Sequence, residues 1–253
     1  MNSVSNNKER KVFIDVGAHY GETLDVALNP KWGFERVLCL EPASSCIELL
    51  EKFKDPRLAL FRIGLSNIDT VGNLYGAGEL GASLHEDKNF LEPGKVPKQE
   101  SITIVRASNW FQQNIRSTDK VFLKLNCEGS ECDILIDLLQ AKLCPQILSV
   151  YVDFDVRKIP RLSHQQREVE NELRKNNIDY FTPDNTYGGG SQSVEYWLGK
   201  RVNVVRTSLF SRLNFALMSY APTYVRFTRL LSVCLPKSLY WWLGRRFGRL
   251  ARS

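Results

Sequence analysis

The feature that most constrains this chain is the alternation of short, unbroken apolar runs with longer stretches of helical period. VFIDV (12–16), RVLCL (36–40), LALFRIGL (58–65), VFLKLN (121–126) and ILSVYVDF (147–154) are apolar along nearly their whole length. A strand exposed on one face would alternate apolar and polar residues, so these runs predict strands covered on both faces. Strands of that kind separated by helices form a parallel sheet. The intervening helices are predicted to start near Gly21, to run through Cys46 and Leu50, to cover CDILIDLLQAKL, and to cover the polar segment 163–177. IDYF and VEYWLG supply two further strand candidates. The expected fold is α/β, a Rossmann-like, mostly parallel sheet with helices on both faces.

Residues 66–105 break this rhythm. Their Gly and Pro turns leave room for two short strands and no crossover helix, which predicts an insertion over the carboxyl edge of the sheet, where such folds hold ligands. The expected organisation is a disordered polar leader over 1–10, a single α/β domain over 11–205 carrying that insertion, and a basic appendage over 206–253.

Charge sets the appendage apart. Of the 34 Lys and Arg residues, ten lie in 201–253, which carries no Asp or Glu; the first 200 residues hold 24 basic and all 28 acidic groups. The longest uncharged run of the tail, 213–225, is too short to span a bilayer, which takes roughly 20 residues. On a helical wheel Leu239, Leu243, Phe247 and Leu250 gather opposite Arg245, Arg249 and Arg252, with Trp241 and Trp242 nearby. Residues 213–252 are therefore expected to contact a membrane surface; packing on the body or on a second subunit, as in a homodimer, and nucleic-acid binding are the alternatives. Six cysteines without CxxC pairs, and a polar start with no signal peptide, place the chain in the cytoplasm, with peripheral membrane attachment through the tail.

Three blocks carry the expected chemistry. In VFIDVGAHYGET (12–23) a strand ends at Asp15 and a turn holds Gly17 and Gly21, followed by a helix start whose amides near Gly21, Glu22 and Thr23 face a ligand. A dinucleotide site would have glycines where this chain has His19 and Glu22, so a pyrophosphate would meet side chains there, one of them acidic. Asp15 instead suits a ligand that carries an ammonium. Glu41, directly after the second strand, can accept both hydroxyls of a ribose. In KLNCEGSECDIL (124–135), Lys124 and Asn126 alternate onto one side of a strand as it reaches the cleft, and Glu128 and Glu131 flank a Gly at the next helix.

In this order and spacing the blocks resemble the FkbM family of methyltransferases, over about residues 12–155. The family's D-x-G-A-x-x-G motif is matched by Asp15, Gly17, Ala18 and Gly21, and its E-P pair by Glu41 and Pro42. Its K-x-D-x-E-G-x-E block is matched by Lys124, Glu128, Gly129 and Glu131, with Asn126 in place of Asp. IGLSN (63–67) resembles the segment after the third strand and adds Ser66. The resemblance implies a class I methyltransferase fold, S-adenosylmethionine as donor, and an oxygen acceptor on a glycan, lipid-linked sugar or secondary metabolite. The cofactor contacts expected from these blocks are Asp15, Gly17, Ala18, His19, Gly21, Glu22, Thr23, Glu41, Pro42, Ser66 and Asn126.

Many relatives carry Leu-Asp before the Lys block, where this chain has Ser108 and Asn109. With Asn126 this removes two carboxylates, and the reaction is expected to need no metal. An alcohol must lose its proton on methylation. Glu128, Asp153 and His85 are the candidate bases, and Lys124 the candidate partner for the developing oxyanion. An RNA methyltransferase, a dinucleotide oxidoreductase and a non-catalytic methyltransferase-like scaffold are the competing readings.

Overall fold

A computed structural model describes residues 9–88, 98–183 and 190–202 of the chain. The central layer is a six-stranded sheet made of β1 (Arg10–Val16), β2 (Arg36–Leu40), β3 (Leu58–Phe61), β7 (Asp119–Leu125), β8 (Ile147–Val152) and β9 (Tyr180–Phe181). Its order is β3-β2-β1-β7-β8-β9, and every neighbouring pair is parallel. The fold is a Rossmann-like α/β fold. The chain steps outward from β1 to β3 and then returns to lay β7 on the other side of β1. That reversal opens a crevice at the carboxyl ends of β1 and β7, where open α/β sheets bind ligands.

Alternation along β1 explains how both faces are covered. Val12, Ile14 and Val16 point into a core shared with α3 (Ala107–Asn114), α4 (Glu131–Gln140) and α5 (Gln165–Lys175). Phe13 points the other way, into a core with α1 (Leu24–Ala27) and α6 (Gly190–Arg201). There Trp197 packs on Phe13, Phe122 and Tyr151 and donates its indole N–H to Ser149 Oγ at 2.8 Å.

VEYWLG, read above as a strand, lies within helix α6. Its buried residues Val194, Trp197 and Leu198 are spaced three and four apart, the period of a helix face, and a six-residue apolar window is too short to separate that from a strand. LALFRIGL is likewise two strands in different sheets, β3 and β4 (Gly64–Ser66). The second sheet, in the order β4-β6-β5, adds β5 (Thr70–Tyr75) antiparallel to β6 (Gln99–Arg106). Leu74, Ile102 and Ile104 of this sheet form a small core with Ala43 and Cys46 at the start of α2 (Ser44–Leu50). The described part of the expected insertion thus includes an ordered sheet seated beside the carboxyl end of β2. Helix α3 was not anticipated by the sequence reading.

The leader (up to residue 8), residues 89–97 of the insertion, residues 184–189 and the whole basic appendage, with its expected interfacial helix, lie outside the described residues. Among the described residues no helix is long and apolar enough to cross a membrane.

Gly17 is required by the close approach of β1 and β7. Its φ is +76°, and a Cβ there would lie 1.9 Å from the carbonyl oxygen of Asn126. Asn126 in turn donates its amide to Val16 O at 3.1 Å, so neither backbone can retreat without breaking the junction. Gly17→Ala is expected to lower unfolding stability by about 3 kcal/mol in urea denaturation; an unchanged midpoint would show that the junction is slack.

Candidate functional site

Asp15 and Lys124 are direct cross-strand partners on β1 and β7, and both leave the sheet on the face of Phe13 and Phe122. Lys124 Nζ sits 2.8 Å from Asp15 Oδ1 and donates to Gly17 O at 2.7 Å. Thr23 Oγ1 donates to the other oxygen, Asp15 Oδ2. Asp15 is fully buried and Lys124 nearly so. Burial pulls the Lys124 ammonium down, but the Asp15 charge and hydrogen bond outweigh it and leave its pKa raised. The two expected ligand contacts are thus bound to each other beneath the turn, and neither lines the cleft. Thr23 is tied up with them. Sequence spacing could not show this, because 109 residues separate the partners in the chain.

The turn itself also differs from the expected amide cradle. Helix α1 has only four residues, and the Gly21 amide donates to Ala18 O at 2.8 Å. Gly21 is needed for packing, since a Cβ there would meet the Phe53 ring at 2.9 Å. Ala18 is buried in the core.

Glu41, the first residue after β2, is 7% exposed and has both oxygens oriented by backbone amides. His19 N donates to Oε2 at 2.8 Å and Ala43 N to Oε1 at 3.0 Å. Burial raises its pKa against the pull of those amides. His19 adopts φ +49°, a conformation that L side chains seldom take, so the surrounding contacts must hold it there. Its Nδ1 lies 2.7 Å from Glu22 Oε1 and its ring stacks on Tyr20 with centroids 3.8 Å apart. Burial tends to raise the Glu22 pKa, but the hydrogen bond and charge of His19 prevail and lower it. The other ring nitrogen, Nε2, is buried without a hydrogen-bond partner.

After β7 the loop turns sharply at Glu128 (φ +59°) and Gly129 (φ +123°). Glu131 shapes it, accepting the amides of Cys127 and Gly129 at 3.0 Å from within the core. Glu128 is held by Lys88, lies 3.7 Å from Lys158 Nζ, and shares a hydrogen bond with Asp155. Lys158 is also 2.6 Å from Asp155 Oδ1. Burial and the neighbouring Glu128 push Asp155 up to about 6. Glu128 moves down: burial opposes, and the Asp155 hydrogen bond and the two lysines prevail.

A strap of residues 76–88 reaches this loop from the small sheet. Ser83 Oγ donates to Glu128 O at 2.6 Å, His85 Nε2 is 3.3 Å from Gly129 O, and Lys88 bonds Gly81 O as well as Glu128. Arg161 donates to His85 Nδ1 at 2.8 Å. Burial and the Arg161 charge lower the His85 pKa.

These pieces enclose a cleft of about 730 Å³, counting the space open to solvent, at the switch point of the sheet. Of the expected site residues, Gly17, His19, Glu41, Pro42, Asn126 and Glu128 line it. Ile63, Leu65, Leu74 and Ile102 give it an apolar wall, and Gly78–Ala82 of the strap form its rim. Asn126 Oδ1 is buried there without a hydrogen-bond partner. Ser66 ends β4 outside the lining, beside Asp133. Asp153 bonds Arg157 at 3.2 Å. Cys46, Cys127 and Ser130 of the lining, and Lys88, which pairs with Glu128, were not foreseen; Asp155 ends the apolar run SVYVDFD, which put it with Asp153 at the carboxyl edge. Among the described residues no three His, Cys, Asp or Glu side chains cluster as metal ligands.

No model of a known protein family and no characterised protein matches this chain. Among solved structures it is similar to the methyltransferase FkbM from Methylobacillus flagellatus KT, at 19% identity and a TM-score of 0.34. The match covers 55% of this chain and 32% of that one, about a third of its length.

The buried Glu131 predicts a pH effect. Burial raises its pKa from 4.5 to about 7, against the pull of the amides it accepts. The folded state therefore binds the proton more tightly than the unfolded chain, and stability drains as pH rises from about 4.5 through about 7. Glu131→Gln removes this group, so between pH 5 and pH 8 its stability should fall less than that of the parent, by on the order of 1–3 kcal/mol. Parallel stability–pH curves for the two proteins would contradict the assignment.

Proposed function

We propose that the chain is an S-adenosylmethionine-dependent methyltransferase that methylates a hydroxyl oxygen on a glycan, lipid-linked sugar or secondary metabolite. The observation that carries this reading is Glu41. Its carboxylate sits at the end of β2, in the cleft, with each oxygen aligned by one amide and a lone pair left on each for a ribose diol. The residues present suit that donor. The apolar wall of Ile63, Leu65, Leu74 and Ile102 suits a flat base, and the unpartnered His19 Nε2 and Asn126 Oδ1 suit a polar tail. A dinucleotide fits less well, since His19 and Glu22 occupy the positions where a pyrophosphate needs bare backbone.

When bound, the donor would supply an electrophilic methyl group on a sulfonium. The chain's own residues would position the reactants and hold the proton, which is most of what an in-line displacement asks of a protein. Glu128 lines the cleft, and Lys88 and Lys158 favour its ionised form. It is suited to accept the proton of the acceptor hydroxyl, with Asp155 sharing that proton through their hydrogen bond. Lys124 acts at one remove, by fixing the Gly17 carbonyl. The strap would limit water at the reacting centre. A membrane contact through residues 213–252, with their tryptophans and arginines, belongs to the same proposal and would bring the enzyme to a lipid-linked acceptor.

Calorimetric titration tests the donor. S-adenosylmethionine and S-adenosylhomocysteine should bind with micromolar affinity, NAD should give no heat of binding, and Glu41→Ala should weaken both adenosyl ligands at least about tenfold. Folded protein that binds neither adenosyl ligand would overturn the proposal.

A further inference from the structure

With Asp15 sealed against Lys124, the ammonium of the donor's methionine end needs another partner. Gly17 O, which lies at the same turn, already takes the Lys124 ammonium. The carboxylates around the cleft are engaged or solvated. Glu41 holds the amides of His19 and Ala43, Glu128 holds Lys88, Glu22 holds the His19 ring, and Glu79 is exposed on the rim.

Among the described residues that line this cleft, two buried side-chain acceptor atoms have no hydrogen-bond partner. One is Asn126 Oδ1, an amide oxygen. The other is His19 Nε2. In the neutral imidazole the 2.7 Å contact to Glu22, a carboxylate that can only accept, places the single ring proton on Nδ1 and leaves a lone pair on Nε2. The residues belong to the loops that follow β1 and β7, and those loops touch where Asn126 O crowds Gly17. Three further contacts fix His19: its amide on Glu41, its ring on Tyr20, and Tyr20 OH on Gly78 O at 2.5 Å. A buried acceptor without a donor is costly, and a side chain held in a rare backbone conformation with one atom unsatisfied points to a missing donor.

We propose that His19 Nε2 and Asn126 Oδ1 together accept hydrogen bonds from the α-ammonium of the methyl donor. This rests on the methyltransferase reading and assigns its amino-acid subsite. An ammonium carries three donors and no acceptor, which matches a pair of orphan acceptors. The Glu22 carboxylate behind His19 makes the ring nitrogen a better acceptor and supplies the negative charge that Asp15 does not.

The test compares S-adenosylhomocysteine with its desamino analogue, in which hydrogen replaces the α-amino group, on the full chain by calorimetry. The parent protein should prefer S-adenosylhomocysteine by roughly tenfold to a hundredfold, as for a hydrogen bond to a charged group. His19→Phe, which keeps the stack on Tyr20, and Asn126→Leu should each weaken S-adenosylhomocysteine and leave the analogue within about twofold, so that the preference collapses toward one. A parent that binds both ligands equally, or a preference that survives in both variants, overturns the assignment and leaves the methyltransferase reading standing. Binding of neither ligand by the folded parent overturns that reading and this assignment with it.

Discussion

Lys124 and Asp15 meet across the junction of β1 and β7, and the geometry of the cleft depends on that contact. The pair is buried beneath the turn that leaves β1, and the same ammonium holds the Gly17 carbonyl. Two charges withdrawn from water gain little net stability over a well-packed apolar pair, whereas removing one of them strands the other. Its effect is therefore positional. It fixes where β1 ends relative to β7, and Gly17, which admits no Cβ, lets the two backbones close upon each other.

That junction sets the positions of the polar groups above it. Glu41 enters from β2, and its carboxylate is tied to the His19 amide of the β1 turn, so the ends of the two strands are linked through a side chain. Asn126 and Glu128 follow β7, with Glu131 holding their loop from below. The strap of the small sheet then lands on the same loop through Ser83, His85 and Lys88. The strap and the β7 loop thus meet at Glu128, the carboxylate proposed to take the acceptor's proton.

Much of the fold was legible in the sequence because doubly covered strands are unbroken apolar runs: four such runs locate β1, β2, β7 and β8 within a residue or two, and a fifth starts with β3 but runs on into β4. The errors came where periodicity is weakest. VEYWLG offers only six residues, and its helical spacing of buried positions is apparent only once α6 is seen whole. Helix α3 was missed because it is only eight residues long, with buried positions at Ala107, Ser108, Trp110 and Phe111, too short a window to separate a helix from a loop. That Glu41, His19 and Asn126 line the cleft was legible from their places at strand ends, which is a local property. The contact between Asp15 and Lys124 was not legible because pairing across strands is not local: either residue at a strand end can turn toward a ligand or toward its neighbour, and the register sets Asp15 opposite Lys124. Lys88 escaped notice because its partner Glu128 lies 40 residues further along the chain.

The claim that most needs testing is that this pair builds the cleft without itself contacting the ligand. Urea denaturation of Asp15→Leu, Lys124→Met and the double variant, each also titrated with S-adenosylhomocysteine, tests it directly. The account predicts a loss of about 3–5 kcal/mol in either single variant, recovery of most of that loss in the double variant, and S-adenosylhomocysteine affinity in the double variant within about tenfold of the parent. A double variant that folds stably and no longer binds S-adenosylhomocysteine would contradict it, and would return Asp15 and Lys124 to the ligand.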